Sequence, residues 1–231
     1  MVAWGPSLFA VFQTGTDGHI YWSWVFPTGA CGGCETNGGT WDQVPGQTTN
    51  MSVSVAQLGA GASQLYMTYR GVGSDQRVFG TEWNGSSWVN THTIAGALSP
   101  SAPSITYDHG ALFDAVRGED NQVYLIASFN AGLSWPNAAD PQGGVTFDSP
   151  RIAASAEGNM VVSHKGTDDK IYYRVFNFQG NPIDAVPNPW SADLNDWQTH
   201  DPIELTPVGN AVFAVVTGLN TTAYFKQVIS G

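Results

Sequence analysis

Short apolar runs, each about five residues long, recur along this chain between clusters of glycine, asparagine, aspartate and proline. The runs at 8–12, 65–69, 112–116, 160–164 and 212–216 are rich in β-branched and aromatic residues, which predicts strands. Each is followed by the pattern Gly-x-(Asp/Asn)-x-x-aliphatic/Ala-aromatic. It reads Gly15-Thr16-Asp17-Gly18-His19-Ile20-Tyr21, then Gly73-Ser74-Asp75-Gln76-Arg77-Val78-Phe79, then Gly118-Glu119-Asp120-Asn121-Gln122-Val123-Tyr124. The last two copies are Gly166-Thr167-Asp168-Asp169-Lys170-Ile171-Tyr172 and Gly218-Leu219-Asn220-Thr221-Thr222-Ala223-Tyr224. Glycine permits positive φ, and Asp or Asn bonds its own following backbone, so the pattern predicts a turn. A second strand runs through the aromatic, as at 171–176, and completes a hairpin.

The five glycines stand 58, 45, 48 and 52 residues apart. A repeat near fifty residues, built from strands, predicts a propeller with one blade per copy. Pro-containing stretches precede three hairpins (Ala102-Pro103-Ser104-Ile105, Ser149-Pro150-Arg151-Ile152, Asp201-Pro202-Ile203) and suit first residues of inner strands. Met1-Val2-Ala3-Trp4 and Asn50-Met51-Ser52-Val53 fill that role in the first two units. Tryptophans follow four hairpins, at Trp41, Trp88, Trp135, and Trp190 or Trp197, and mark outer strands or the corners leading to them. The fifth unit has no such tail. The fold class predicted is all-β: one five-bladed β-propeller domain over 1–231, with blades at roughly 1–48, 49–98, 99–146, 147–198 and 199–231 and a fifth blade lacking its outer strand. A closed ring is favoured over part of a longer array. The longest irregular stretches, 27–39 and 180–195, read as insertions on one rim.

Composition narrows the functional classes. Charged residues are 12% of the chain, half the usual share of roughly 25%, while there are nine tryptophans and 27 glycines. A net charge of −11 with eight Lys plus Arg argues against nucleic acid or anionic membranes, which need basic clusters. No run of about eighteen apolar residues predicts a membrane span. The first residues lack the basic-then-apolar form of a signal peptide, which predicts a cytoplasmic protein or one secreted by a non-classical route. Low charge with many aromatics suits neutral polar ligands and favours self-association as a homo-oligomer. Cys31 and Cys34, in a glycine-rich loop, read first as a small loop disulfide, then as free thiols, and last as a redox or metal pair.

Candidate chemistry lies after the second strand of each hairpin. The copies read Trp22-Ser23-Trp24, Glu82-Trp83-Asn84-Gly85, Ser128-Phe129-Asn130-Ala131-Gly132 and Phe176-Asn177-Phe178-Gln179-Gly180. Sugar recognition needs a flat apolar surface for the pyranose C–H face and a few fixed hydroxyl partners. An aromatic beside Asn supplies both; the alternative is a hairpin end whose aromatic packs between blades. A basic residue precedes the turn in three copies, Arg70, Arg117 and Lys165, with Thr14 and Thr217 in the outer ones. These cations suit vicinal hydroxyls or a carboxylate, or a structural ion pair with a nearby aspartate.

Glycosidase chemistry needs two carboxylates. Asp148, Asp201 and Glu204, near inner-strand starts, are the candidates. No nucleophile motif or phosphate loop is present. The five histidines show no ligand spacing, and 193–196 reads as a turn before a calcium loop, so no metal or cofactor is expected.

The stretch 128–135 resembles the Asp-box of sialidase-type propellers, with Asn130 for Asp and Ser134 for Thr; in that family the motif is a structural turn. The five hairpins with trailing tryptophans resemble the small propeller lectins of fungi, bacteria and invertebrates. The tachylectin type is nearest in blade number and length, and six- and seven-bladed fucose-binding lectins share the blade pattern. The resemblance implies a non-enzymatic lectin for glycans or glycoconjugates, with several shallow sites on or between blades. It points to Trp24, Trp83, Phe129 and Phe178, to Asn84, Asn130 and Asn177, and to Arg70, Arg117 and Lys165 as partners. The first copy lacks the Asn and the fifth lacks both aromatic and tail, which implies fewer than five working sites. The alternative is a small glycoside hydrolase with carboxylates in the central channel.

Overall fold

The computed structural model describes residues 1–3, 8–25, 40–59, 62–135, 140–183 and 197–229. Trp4, Cys31, Cys34, Trp190, the 193–196 turn and most of the two long irregular stretches lie outside them. Eighteen strands and no helix occur among the described residues. The first sheet holds β1 (Val2–Ala3), β2 (Phe9–Thr14), β3 (His19–Val25) and β4 (Asp42–Thr48). The second holds β5 (Ser54–Gln57), β6 (Leu65–Arg70), β7 (Arg77–Trp83) and β8 (Trp88–Leu98). The third holds β9 (Ser104–Asp108), β10 (Ala111–Arg117), β11 (Gln122–Ser128) and β12 (Asp140–Val145). The fourth has β13 (Arg151–Ala154), β14 (Asn159–Lys165) and β15 (Ile171–Asn177), with Gln198 bridging to Lys170 at its outer edge. The fifth has β16 (Glu204–Val208), β17 (Ala211–Thr217) and β18 (Ala223–Ile229). Sequential strands are antiparallel neighbours throughout, so each sheet is a meander laid down by one repeat.

The repeated turn shows why its residue types recur. In the first, third and fourth copies one Asp oxygen accepts the amide two residues on, and the other accepts the tyrosine hydroxyl four residues on. Tyr21 reaches Asp17 at 2.7 Å, Tyr124 reaches Asp120 at 2.8 Å and Tyr172 reaches Asp168 at 3.0 Å. Asn220 bonds the equivalent groups: its Oδ1 accepts the Thr222 amide, and its Nδ2 donates to the Tyr224 hydroxyl at 2.7 Å. Where Phe79 replaces tyrosine, Arg77 closes the loop instead: it bonds Asp75 at 2.7 and 2.9 Å and lies over the Phe79 ring. This guanidinium holds the Asp75 carboxyl down at about 2. The second turn also departs from the pattern in its glycine. A Cβ at Gly15, Gly118, Gly166 or Gly218 would strike the turn Asp or Asn and the tyrosine ring, and in the second copy it is Gly71, not Gly73, that packs so tightly on the aspartate.

A second repeated device joins consecutive sheets. The linkers carry Thr49, Ser99, Thr146 and Thr199, all fully buried. Each donates its amide to a carbonyl of the preceding turn, at 2.8–3.0 Å. Each hydroxyl then accepts the amide two residues on, at 3.0–3.2 Å. The linker backbone is thus satisfied before the next inner strand begins.

Apolar cores fill the seams between consecutive sheets. Ile20, Trp22 and Val44 meet Met67 and Tyr69; Tyr66, Val78 and Ile94 meet Leu112, Ile126 and Trp135; Phe113 and Leu125 meet Met160 and Val162; and Val161 and Ile171 meet Val212 and Ala214. Among the described residues no such cluster joins the fifth sheet to the first. The residue after the turn aromatic displays the difference. Trp22 and Leu125 at that register are 4% and 6% exposed, but Phe225 is 75% exposed, beside its exposed cross-strand partner Val215. Leu125→Ala is therefore expected to cost about 2–4 kcal/mol, and Phe225→Ser less than about 1 kcal/mol, in denaturant unfolding. An equal cost at the two positions would show that the fifth sheet's outer face is covered in solution.

Candidate functional site

The inner strands β1, β5, β9, β13 and β16 surround a central cavity of about 730 Å³. Its wall is stitched by side-chain to backbone bonds: Ser54 Oγ accepts the Ile105 amide at 2.9 Å, and Ser104 Oγ accepts the Ile152 amide at 3.1 Å. At the next seam, Arg151 and Glu204 form a two-pronged ion pair at 2.9 and 3.1 Å. Among the described residues, Glu204 is the only acidic one lining the cavity. Asp148 is instead paired with Lys165 at 2.9 Å, and the Asp201 amide is held by Thr199 Oγ1 at 3.0 Å.

In the first four copies the residue before the crowded turn glycine makes one repeated contact. Thr14 donates to the Met51 carbonyl at 2.7 Å, Arg70 to that of Ser99 at 3.0 Å, Arg117 to that of Phe147, and Lys165 to that of His200 at 3.0 Å. Each of these acceptors lies in the linker to the next sheet. Arg70 is buried and also bonds Asn50 Oδ1 and the Gly71 carbonyl. The three cations read from the sequence thus brace the sheets against their linkers.

The aromatics fall into two groups. Trp24 and Trp83 are brought together, both half-buried, in a cluster with Phe12, Trp22 and Trp88 at the seam of the first two sheets. Ring centroids there lie 4.5 Å (Trp22–Trp24), 4.6 Å (Trp22–Trp83) and 6.5 Å (Trp24–Trp83) apart. The indole N–H groups of Trp83 and Trp88 are buried there with no hydrogen-bond partner among the described residues. Phe129 and Phe178 form the other group. They are 65% and 46% exposed and follow β11 and β15, at the seam of the third and fourth sheets. Both lie near the buried Phe113: Phe129 stands edge-on to its ring at 6.0 Å, and Gly180 of the Phe178 turn backs onto it.

The asparagines organise turns. Asn84 Oδ1 accepts the Ser86 and Ser87 amides at 3.0 Å, and Asn177 Oδ1 accepts those of Gln179 and Asn181 at 3.0 Å. Asn130 takes the Asp-box role: its Oδ1 accepts from Ser128 Oγ and the Ser134 amide, and its Nδ2 donates to Ser134 Oγ. The box delivers Trp135, whose indole donates to Tyr66 of the second sheet at 3.0 Å.

The sequence reading passed over His109. It is half-exposed in the β9–β10 turn and bonds Asp108 at 2.6 Å. The sequence signal was the Asp-His-Gly turn, whose strand context gave it no visible ligand spacing. Among the described residues no group of three His, Cys, Asp or Glu converges to hold a metal, and no helix is long and apolar enough to cross a membrane.

Three- and four-stranded meanders around a central cavity form a β-propeller, and propeller lectins are among the solved structures that resemble the chain. The Aleuria aurantia lectin, in complex with α-methyl-L-fucoside, matches with a TM-score of 0.58 at 15% identity over 97% of this chain and 75% of its own; it is described as a six-bladed β-propeller with a novel fucose recognition mode. The BP39L lectin from Burkholderia pseudomallei matches with a TM-score of 0.65 at 14% identity over 98% of this chain and 64% of its own. A mutant NanB sialidase from Streptococcus pneumoniae also matches, with a TM-score of 0.58 at 9% identity over 91% of this chain and 35% of its own. No protein-family model matches the chain, and no curated protein sequence does.

Proposed function

We propose that this protein is a lectin: a propeller of five blades, one for each sheet, that binds neutral glycans in shallow sites at its blade seams and performs no catalysis. The observation that carries this reading is the pair of exposed aromatics, Phe129 and Phe178, at the end of one seam, each next to an asparagine-built turn. Exposed phenyl faces suit the C–H face of a pyranose, and the turn amides and side chains around them suit its hydroxyls. The aromatic seam of Trp24 and Trp83, with Asn84 at its end, is the second proposed site. Arg70, Arg117 and Lys165 support these seams by fixing the linkers. The fucoside bound by the Aleuria aurantia lectin makes terminal deoxyhexoses the first ligands to try. Weak sites on one rigid frame give avidity toward clustered glycans, because later contacts are intramolecular.

Phe129→Ala and Phe178→Ala are expected to weaken glycan binding at least tenfold while leaving the unfolding midpoint nearly unchanged, since both rings are largely exposed. Isothermal titration beside thermal melts reads both effects. Normal binding by both variants would remove this seam from the proposal.

The alternative is a small glycoside hydrolase acting in the central cavity, a reading favoured by the sialidase likeness. Retaining and inverting mechanisms both require two carboxylates, about 5–9.5 Å apart. Among the described residues Glu204, already paired with Arg151, is the one acid lining the cavity, which favours the lectin reading.

A further inference from the structure

The β9–β10 turn holds a residue where its sister turn uses glycine. Asp108 and Ala111 face each other across the hairpin, and the two residues between them, His109 and Gly110, have φ of 44° and 91°. In the fifth sheet a two-residue turn of a different type joins Val208 to Ala211: Gly209 takes the first position at φ 57°, but Asn210 does not share the positive φ of Gly110. Left-handed backbone is disfavoured for a residue with a Cβ. A histidine held at positive φ, where the fifth sheet's turn places glycine at its first position, is the kind of local strain that accumulates at functional positions.

The surroundings give the histidine one defined role. Asp108 is buried, at 5% exposure, and its Oδ1 lies 2.6 Å from His109 Nδ1. A carboxylate at Nδ1 selects the tautomer with the proton on Nδ1 and leaves Nε2 as an acceptor. The other carboxyl oxygen of Asp108 is buried with no partner among the described residues. The imidazole is 51% exposed. It rests on the backbone of the fourth sheet at Gly158, where a Cβ would come within 3.0 Å of the ring. Its outer side meets the Phe178 ring, with centroids 5.6 Å apart and planes tilted by 39°. An oriented acceptor therefore stands beside an exposed phenyl ring across the third and fourth sheets.

We propose that His109, oriented by Asp108, is the hydroxyl acceptor of a sugar site at this seam, with Phe178 as the stacking surface. The ligand class is a neutral pyranoside that offers one apolar C–H face to Phe178 and a hydroxyl at its edge to Nε2. A stacking ring alone fixes a face of the sugar; the acceptor beside it fixes which hydroxyl points inward, and so selects among stereoisomers. The proposal rests on the lectin reading and names the residues that would make one of its sites selective.

The test uses the whole chain and a set of methyl glycosides, beginning with α-methyl-L-fucoside. Each is titrated while the His109 ring Cε1–H signal is followed by NMR, and the titration is repeated on His109→Gly, since glycine takes the left-handed backbone of this position without strain. Saturable binding by at least one glycoside, a shift of the His109 signal on binding, and at least tenfold weaker binding by His109→Gly with an undiminished melting temperature are the results expected. Binding that leaves the His109 signal unmoved and is unchanged in His109→Gly would overturn the site while leaving the lectin reading intact. If no glycoside binds the parent protein, the lectin reading falls, and the site with it.

Discussion

Asp114→Asn is expected to stabilise the protein at pH 7–8 by a few kcal/mol and to leave it nearly unchanged near pH 4. Asp114 is fully buried on β10 at the seam of the second and third sheets, at a register where the other sheets place Val11, Met67, Val162 and Ala214. Among the described residues neither carboxyl oxygen has a hydrogen-bond partner of normal geometry. Burial pushes the carboxyl up to about 8, and the nearby Thr68 hydroxyl and Ser104 amide pull it only partly back. In the unfolded chain the same group titrates near 3.9. Below about pH 4 both states carry the proton, and the group is neutral in its effect on folding. Between about pH 4 and 8 the unfolded chain is ionised while the folded one is not. Folding must then take up a proton, so stability falls by up to about 1.4 kcal/mol per pH unit. Above about pH 8 the loss is complete. The asparagine variant cannot ionise, so the difference in urea midpoint between it and the parent should grow as pH rises from 4 to 8 and then level. A pH-independent difference would show that Asp114 stays ionised in the fold.

Gly132→Ala is expected to cost about 4 kcal/mol or more, enough to leave the protein largely unfolded or rearranged at that seam. Gly132 has φ of +90°, and a Cβ there would lie 2.1 Å from the Tyr66 ring. Tyr66 cannot yield cheaply: it is fully buried, and its hydroxyl accepts the Trp135 indole at 3.0 Å. Overpacking of a fixed ring and a disfavoured backbone act at the same atom. Gly143→Ala is the control, since φ there is +77° with nothing within 4 Å of an added Cβ. It should carry only the backbone term of about 1–2 kcal/mol. Similar losses for the two variants would remove the Tyr66 contact from the explanation.

Repetition made the architecture readable. Five copies of one turn announced the hairpins, because in four of them the turn brings together a carboxylate or amide, a crowded glycine and a hydroxyl-bearing ring, and few other sequences satisfy that geometry. The prolines marked the inner strands to within a few residues; β5 begins at Ser54, just after the expected stretch. The Ser/Thr linkers were equally repeated but went unnoticed, since a single buried hydroxyl bonding local backbone leaves only a small residue as its trace. The substituted turn at Phe79 was read through the wrong glycine, because a two-residue insertion keeps the pattern Gly-x-Asp while moving the crowded position to Gly71.

The site was less legible. Which aromatics face solvent depends on whether the next sheet covers them: Trp83 and Phe129 occupy similar places in their repeats, yet one packs among four aromatic rings and the other stands 65% exposed. The role of Arg70, Arg117 and Lys165 depends on a linker some thirty residues further along the chain, a distance no local pattern records. His109 draws its meaning from Gly158 and Phe178 of the neighbouring sheet, and periodicity along one strand carries no information about that neighbour.

The most direct measurement is a glycan array probed with the purified 231-residue chain. A β-propeller lectin predicts selective retention on glycans that share one terminal sugar, with signal rising as that sugar is presented more densely. An array that stays blank at every density, together with release of chromophore from a chromogenic glycoside, would contradict it and turn attention to Glu204 and the central cavity.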